Sequence, residues 1–334
     1  MDHSSSGSHG ALALEKAILG FVQAKEAEAL SPRTIQSYQQ HLGTWAQYMG
    51  ARSVNGITAQ DIRAYLAYLR TEYVPKRFNG KTTPLSQKTL RNVYITLSSF
   101  FAWASEELNA PDPMDAVTAP KFQHPEVEPF TLEHVEALLK AAEYSREADT
   151  RDRRRFVRRR PTALRDRAII LILLDTGMRA SELCAVDVGD VDQKTGKIMI
   201  KHGDEGGAKG GKGRFVYLGK AARRALWRYL TSRADGDQAE APLLTTGLDR
   251  RLGKNALLQL MHSLGEKAQV QHCYPHRFRH TFAITFLRSG GDIFTLQKLL
   301  GHSSLDMVKH YARVAQIDIE QAHRRASPAD NWRL

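Results

Sequence analysis

A chain of 334 residues exceeds what one small core organises, so two domains are the first expectation. An apolar share of 42% argues against wholesale disorder, and two cysteines, Cys184 and Cys273, exclude a disulfide framework or a self-contained four-ligand zinc site. The 48 Lys and Arg against 36 Asp and Glu leave a net charge of +12, which favours a polyanionic partner because each neutralised phosphate releases condensed counterions.

Residues 1–11 lack the basic start and apolar stretch of a secretory signal and read as a disordered tail. Ser31-Pro32 then sets an N-cap before a helical proline, and Tyr38, Leu42, Trp45 and Tyr48 follow at helical spacing. Thr58-Ala59-Gln60-Asp61 resembles a capping box and opens a second helix through Ile62, Tyr65, Leu66 and Leu69. A third, long helix carries Leu90, Val93, Leu97, Phe100, Phe101 and Leu108, and Asn109-Ala110-Pro111-Asp112-Pro113 ends it. On amphipathic spacing these aromatics belong to a core rather than to stacking platforms.

Residues 119–129 carry three prolines and no helical periodicity, and mark the domain boundary. A helix begins at Thr131. Seven arginines then crowd into ten residues: Arg151, Arg153, Arg154, Arg155, Arg158, Arg159 and Arg160. They fit a solvated loop or a phosphate-contacting arm equally well. The segment Ala168–Leu174 is apolar on all sides, too short to span a bilayer, and suits a central buried helix. Lys197–His202 alternates as a strand, with Arg214–Leu218 as its partner and Gly203, Gly206, Gly207, Gly210, Gly211 and Gly213 in the hairpin between them. Helices resume near Lys254, with Gly290-Gly291 and Gly301 as stops. The fold class is mainly α with a small antiparallel β-sheet.

Four short segments carry side chains suited to a phosphodiester. Arg179 must find an anion or face solvent, and Glu182 three residues on either pairs with it alone or orients it toward a phosphate. His276 and Arg279 lie one helical turn apart near a helix start, where the dipole favours anions. His280 is assigned to a different face and a structural part. Nine positions separate His302, at a corner between helices, from Tyr311 on the second of them. Tyr311 reads as a core residue packed on Met307 or as a nucleophile.

The motifs Thr176–Leu183, His276-x-x-Arg279, Leu299-Leu300-Gly301-His302 and Tyr311, in this order, resemble the tyrosine recombinases, or phage integrase family, of Xer-like and transposon or phage integrase type. The resemblance implies a two-domain DNA clamp: a helical, SAM-like core-binding domain over 12–118, a linker over 119–129 and a catalytic domain with a C-terminal tail over 130–334. It implies site-specific strand cleavage and rejoining through a 3′-phosphotyrosine intermediate, with Tyr311 as nucleophile and Arg179, Arg279, His302 and His276 around the phosphate. It also implies a catalytic lysine on the hairpin, which matches Lys209, with Lys212 as competitor. No metal or other cofactor is expected, since cationic side chains take its place. The expected partners are double-stranded recombination sites and three further copies of the chain, with residues 317–325 and the tail to 334 docking on a neighbour or packing in cis. A cytoplasmic, nucleoid-associated location and no membrane contact go with this reading. The alternatives are strand relaxation of the type IB topoisomerase kind and a catalytically inactive DNA-binding relative.

Overall fold

Capping chemistry sets the helices of the first of two compact units, Met1–Pro125 and Glu126–Leu334. The computed structural model describes residues 12–77, 80, 82–122, 128–145, 148–150, 153–201, 213–247, 250–302, 304–305, 308–309, 311–312, 323 and 327–332, with 148–150, 153–156 and 330–331 described by backbone. Helix α1 spans Leu14–Ala27, α2 Pro32–Met49, α3 Ala59–Thr71 and α4 Gln87–Leu108. Ser31 accepts from the Thr34 amide at the start of α2, and Ser86 accepts from Thr89 at the start of α4. Thr58 and Asp61 exchange both bonds of a capping box before α3. Asn109 closes α4 in the left-handed region at φ 51°. Helix α1 has no capping side chain, and its short apolar pattern left it unread in the sequence.

The aromatics of this unit are core. Phe21, Trp45, Phe100 and Phe101 are fully buried, and Trp45 meets Phe100 and Phe101 edge to face at centroid distances of 5.6 and 5.5 Å. Tyr48 departs from the expected apolar face: it is 40% exposed and lies against Tyr65 and Tyr68.

The second unit is built around α6, Ala163–Thr176, which packs against α5 (Leu132–Glu143), α8 (Lys220–Thr231) and α10 (Pro275–Arg288). Ile169, Ile170, Ile172 and Leu173 lose all solvent exposure, each worth roughly 1.5–3 kcal/mol against an exposed position. Because α6 is surrounded, its sequence shows apolar residues on every face. Strands β3 (Val191–Asp192), β4 (Lys197–Ile200) and β5 (Arg214–Tyr217) form an antiparallel sheet in that order, with Ile198 opposite Val216. The β4–β5 pairing is the expected one; the short β3 and helix α8 are additions to it. Helix α7 covers Ala180–Ala185, α9 Lys254–Ala268 and α11 Ile293–Leu300, and a last helix covers Pro328–Asn331.

The arginine-rich segment is not a plain loop. Its backbone forms an antiparallel pair, β1 (Ala148–Thr150) with β2 (Arg153–Phe156). The base of that hairpin is tied down by Asp166, which is fully buried on α6 and receives Arg160, Arg165 and the Thr162 hydroxyl. Among the described residues no helix is long and apolar enough to cross a membrane.

Candidate active site

Two glycine stops aim the backbone of the site. Gly177 ends α6 at φ 60°, and a Cβ there would sit 2.5 Å from a ring carbon of Phe282. Gly301 ends α11 at φ 65° and delivers His302 beside Arg279. Arg279, on α10, is 1% exposed, so its guanidinium needs internal acceptors. It donates to the Gly177 carbonyl at 2.8 Å, to the Leu300 carbonyl at 2.7 Å and to His302 Nε2 at 2.7 Å. Burial, reinforced by the Arg179 charge, pushes it down to about 10, and it stays protonated at neutral pH.

Arg179 is the N-cap residue of α7. Its amide and Nη1 both donate to Glu182, at 2.8 and 2.7 Å, and Nη2 reaches the Gly301 carbonyl at 3.5 Å. With 30% of its side chain exposed, it keeps an edge for a ligand. Glu182 is fully buried. Burial alone would raise its carboxyl, yet the bonds and charge of Arg214, followed by those of Arg179, outweigh it and hold the group below the usual range.

His302 is pushed down to about 4, first by burial and then by the charges of Arg279, Arg179 and Arg214, so it is neutral at pH 7. Its Nδ1 is buried and has no hydrogen-bond partner among the described residues. Tyr311 is 1% exposed and packs with Ala283, Ile284, Leu287, Leu296, Leu300 and Val308. Burial raises its phenol, opposed by the Arg279 and Arg179 charges and a hydrogen bond from Arg279. Its ring lies nearly parallel to that of His302, at 6.3 Å and 14°.

Six of the expected residues therefore meet: Arg179, Glu182, His276, Arg279, His302 and Tyr311. His276 joins through His280, whose ring stands 4.5 Å from His276 and 5.3 Å from Tyr311. That corrects the placing of His280 on a different face. Positions four apart share a helix face, and this spacing was the available signal. Arg214 was also missed. It alternates with Phe215 and shares the side of buried Val216, and an arginine on the core side of a strand requires an acid.

Lys209 and Lys212 lie outside the described residues. For Arg153, Arg154 and Arg155 the structure gives the β2 backbone only. Arg158 pairs by its backbone with Ser145, Arg159 approaches Glu143 at 3.7 Å, and Arg160 is engaged by Asp166 at 3.0 Å. Among the described residues no cluster of three or more His, Cys, Asp or Glu has the placing of a metal site.

The comparisons place the chain in a family. The model for the phage integrase family matches residues 129–317, and that for the phage integrase N-terminal SAM-like domain matches 23–107. The tyrosine recombinase XerA of Thermococcus kodakarensis is 30% identical over 306 residues, covering 90% of this chain and 92% of that protein. The tyrosine recombinase XerC of Pelobacter propionicus is 29% identical over 305 residues, 90% of each. Among solved structures, a Tn1549 transposon integrase in complex with transposon right end DNA superposes with a TM-score of 0.69 at 17% identity, over 94% of this chain and 98% of that one. A lambda integrase dimer bound to a COC' core site gives 0.65 at 17% identity, over 90% and 77%. These two show the shared fold. The chain belongs to the phage integrase family and is a tyrosine recombinase.

Proposed function

We propose that the chain cleaves and rejoins duplex DNA at specific sites with Tyr311 as nucleophile and no metal ion. The phenolic oxygen attacks a backbone phosphorus, the bond to the 5′-oxygen breaks, and a 3′-phosphotyrosine forms. Attack by a 5′-hydroxyl from a partner strand reverses the step and frees Tyr311, so no hydrolysis is needed.

The observation that supports this reading is the meeting of Arg179, Arg279, His302 and Tyr311. Arg279 holds His302 through Nε2, the Tyr311 ring lies nearly parallel to the imidazole, Arg179 reaches the neighbouring Gly301 carbonyl, and the buried His302 Nδ1 has no partner among the described residues. Charge gathers on the non-bridging oxygens during attack, and two guanidiniums with a neutral imidazole donor stabilise it electrostatically. His276 takes the phenolic proton, which the raised Tyr311 does not release unaided. The departing 5′-oxygen takes its proton from Lys209, or from Lys212, on the β4–β5 hairpin. Glu182 orients Arg179.

Residues 12–118 act as the core-binding domain, 119–129 as the linker and 130–334 as the catalytic domain. Arg153, Arg154 and Arg155 of β2, with Arg158 and Arg159 beside it, add phosphate contacts, whereas Arg160 is held by Asp166. Four copies of the chain assemble on two sites, and the protein works in the cytoplasm on the nucleoid.

The test uses a nicked suicide duplex bearing the protein's own site, recovered by sequencing covalently trapped DNA. Wild type accumulates an adduct that survives denaturation and excess EDTA, whereas Tyr311→Phe binds the duplex and forms none. Adduct formation by Tyr311→Phe removes the nucleophile assignment, and its loss in EDTA removes the metal-free one.

A further inference from the structure

Arg214, at the first position of β5, holds two parts of the site at once. Its Nη1 and Nη2 grip the two oxygens of Glu182 at 3.0 and 2.8 Å, a fork that matches a carboxylate. Its Nε donates to the Leu299 carbonyl at 2.7 Å. Leu299 lies in the last turn of α11, where carbonyls have no partner within the helix and a positive charge is favoured. The side chain is only 10% exposed. Gly301 passes so close that a Cβ would stand 2.9 Å from Nη1.

Both ends of this bridge lead to the phosphate-binding pair. Glu182 carries Arg179 by side chain and amide. The turn at Leu299–Gly301 carries His302, and its Leu300 and Gly301 carbonyls receive Arg279 and Arg179. A guanidinium is suited to this part because its planar donors reach a carboxylate and a carbonyl in fixed directions, which a single ammonium nitrogen does not do. We infer that Arg214 is a positioning residue for DNA cleavage: it fixes Arg179 through Glu182 and His302 through the end of α11, and touches no reacting atom itself.

A second consequence follows from its place in the chain. Arg214 comes two residues after Lys212 and five after Lys209. The strand that follows the two lysines in the chain is thus pinned to the carboxylate that orients Arg179.

The inference rests on Arg179 and His302 serving the phosphate. The experiment compares wild type, Arg214→Ala, Arg214→Lys, Glu182→Gln and the Arg214→Lys/Glu182→Gln pair on the suicide duplex, reading thermal melting, duplex affinity and single-turnover cleavage at saturating DNA. Arg214→Lys retains the fold and binds DNA within about 3-fold of wild type, while its cleavage rate at saturation falls about 100-fold, the scale of a displaced catalytic group. On the Glu182→Gln background the same change slows cleavage by less than about 30-fold, because the share that runs through Glu182 is already lost while the bond to Leu299 remains at stake.

Cleavage by Arg214→Lys at the wild-type rate overturns the proposal. So does a loss confined to DNA affinity, or a full 100-fold loss retained on the Glu182→Gln background. Unfolding of both Arg214 variants assigns the residue to the fold alone and overturns it as well. Failure of wild type itself to form an adduct is separate, since it removes the reading of the site on which the inference stands.

Discussion

Arg279 Nη2 stands 2.7 Å from His302 Nε2, and the direction of that bond is not open. A guanidinium has donors only, so Nε2 must accept and the neutral ring must carry its proton on Nδ1. That nitrogen is the buried one without a partner among the described residues, so it is a donor whose acceptor is not supplied by them.

The first prediction concerns this tautomer. Imidazole nitrogen shifts of labelled protein without DNA will report a neutral His302 protonated at Nδ1 down to about pH 5, titrating at about 4. Because the folded value lies below the ordinary 6.5, the folded state binds fewer protons than the unfolded one between them. The group's contribution to stability is full above pH 6.5 and is lost as pH falls toward 4. Denaturation midpoints of wild type will therefore fall more steeply over this window than those of His302→Gln.

Gly177 gives the second. Alanine there meets both a positive φ and the Phe282 ring, and the strained backbone alone costs about 1–3 kcal/mol. Since the Gly177 carbonyl receives Arg279, Gly177→Ala will lower cleavage at saturating DNA as well as the unfolding midpoint in urea.

A third prediction separates the arginines of the hairpin. Replacing Arg153, Arg154 and Arg155 with alanine will flatten the dependence of DNA affinity on salt, by about 0.9 in log–log slope for each phosphate no longer neutralised. Arg160→Ala will instead lower stability, by about 1.5–3 kcal/mol for removal of a bond to a buried carboxylate, with the salt slope unchanged. Titrations at several salt concentrations, paired with urea denaturation, distinguish the two effects.

Asp166 supplies the fourth. It is fully buried between Arg160 and Arg165, so Asp166→Ala leaves two cations without their acid. Breaking such a pair from one side costs about 3–5 kcal/mol, and urea denaturation of the variant will show it.

The tail tests assembly. Removing residues after Arg325 will impair synapsis of two sites more than binding to one, read as paired-site and single-site complexes on native gels. Equal loss of both would count against docking on a neighbour.

Much of this architecture was legible because local chemistry dictated it. Ser31, Thr58 and Thr131 announce helix starts through their own side-chain bonds, and Gly301 announces a stop through its φ. The surrounded helix α6 declared itself by having no polar face. The arginine-rich hairpin did not, because its residues show no alternation and its anchor, Asp166, lies beyond it on another element. Arg214 was hidden for a related reason. Its partners Glu182 and Leu299 are 32 and 85 residues away, and no local pattern encodes such a meeting.

That separation also governs when the protein becomes dangerous to DNA. Arg179 is braced by the Gly301 carbonyl 122 positions later, and Arg279 by Leu300 and His302. A chain still being synthesised past α10 has its arginines but neither the turn that seats them nor the tyrosine beyond it. With Tyr311 as the proposed nucleophile, the site is complete only once the chain has been made through residue 311.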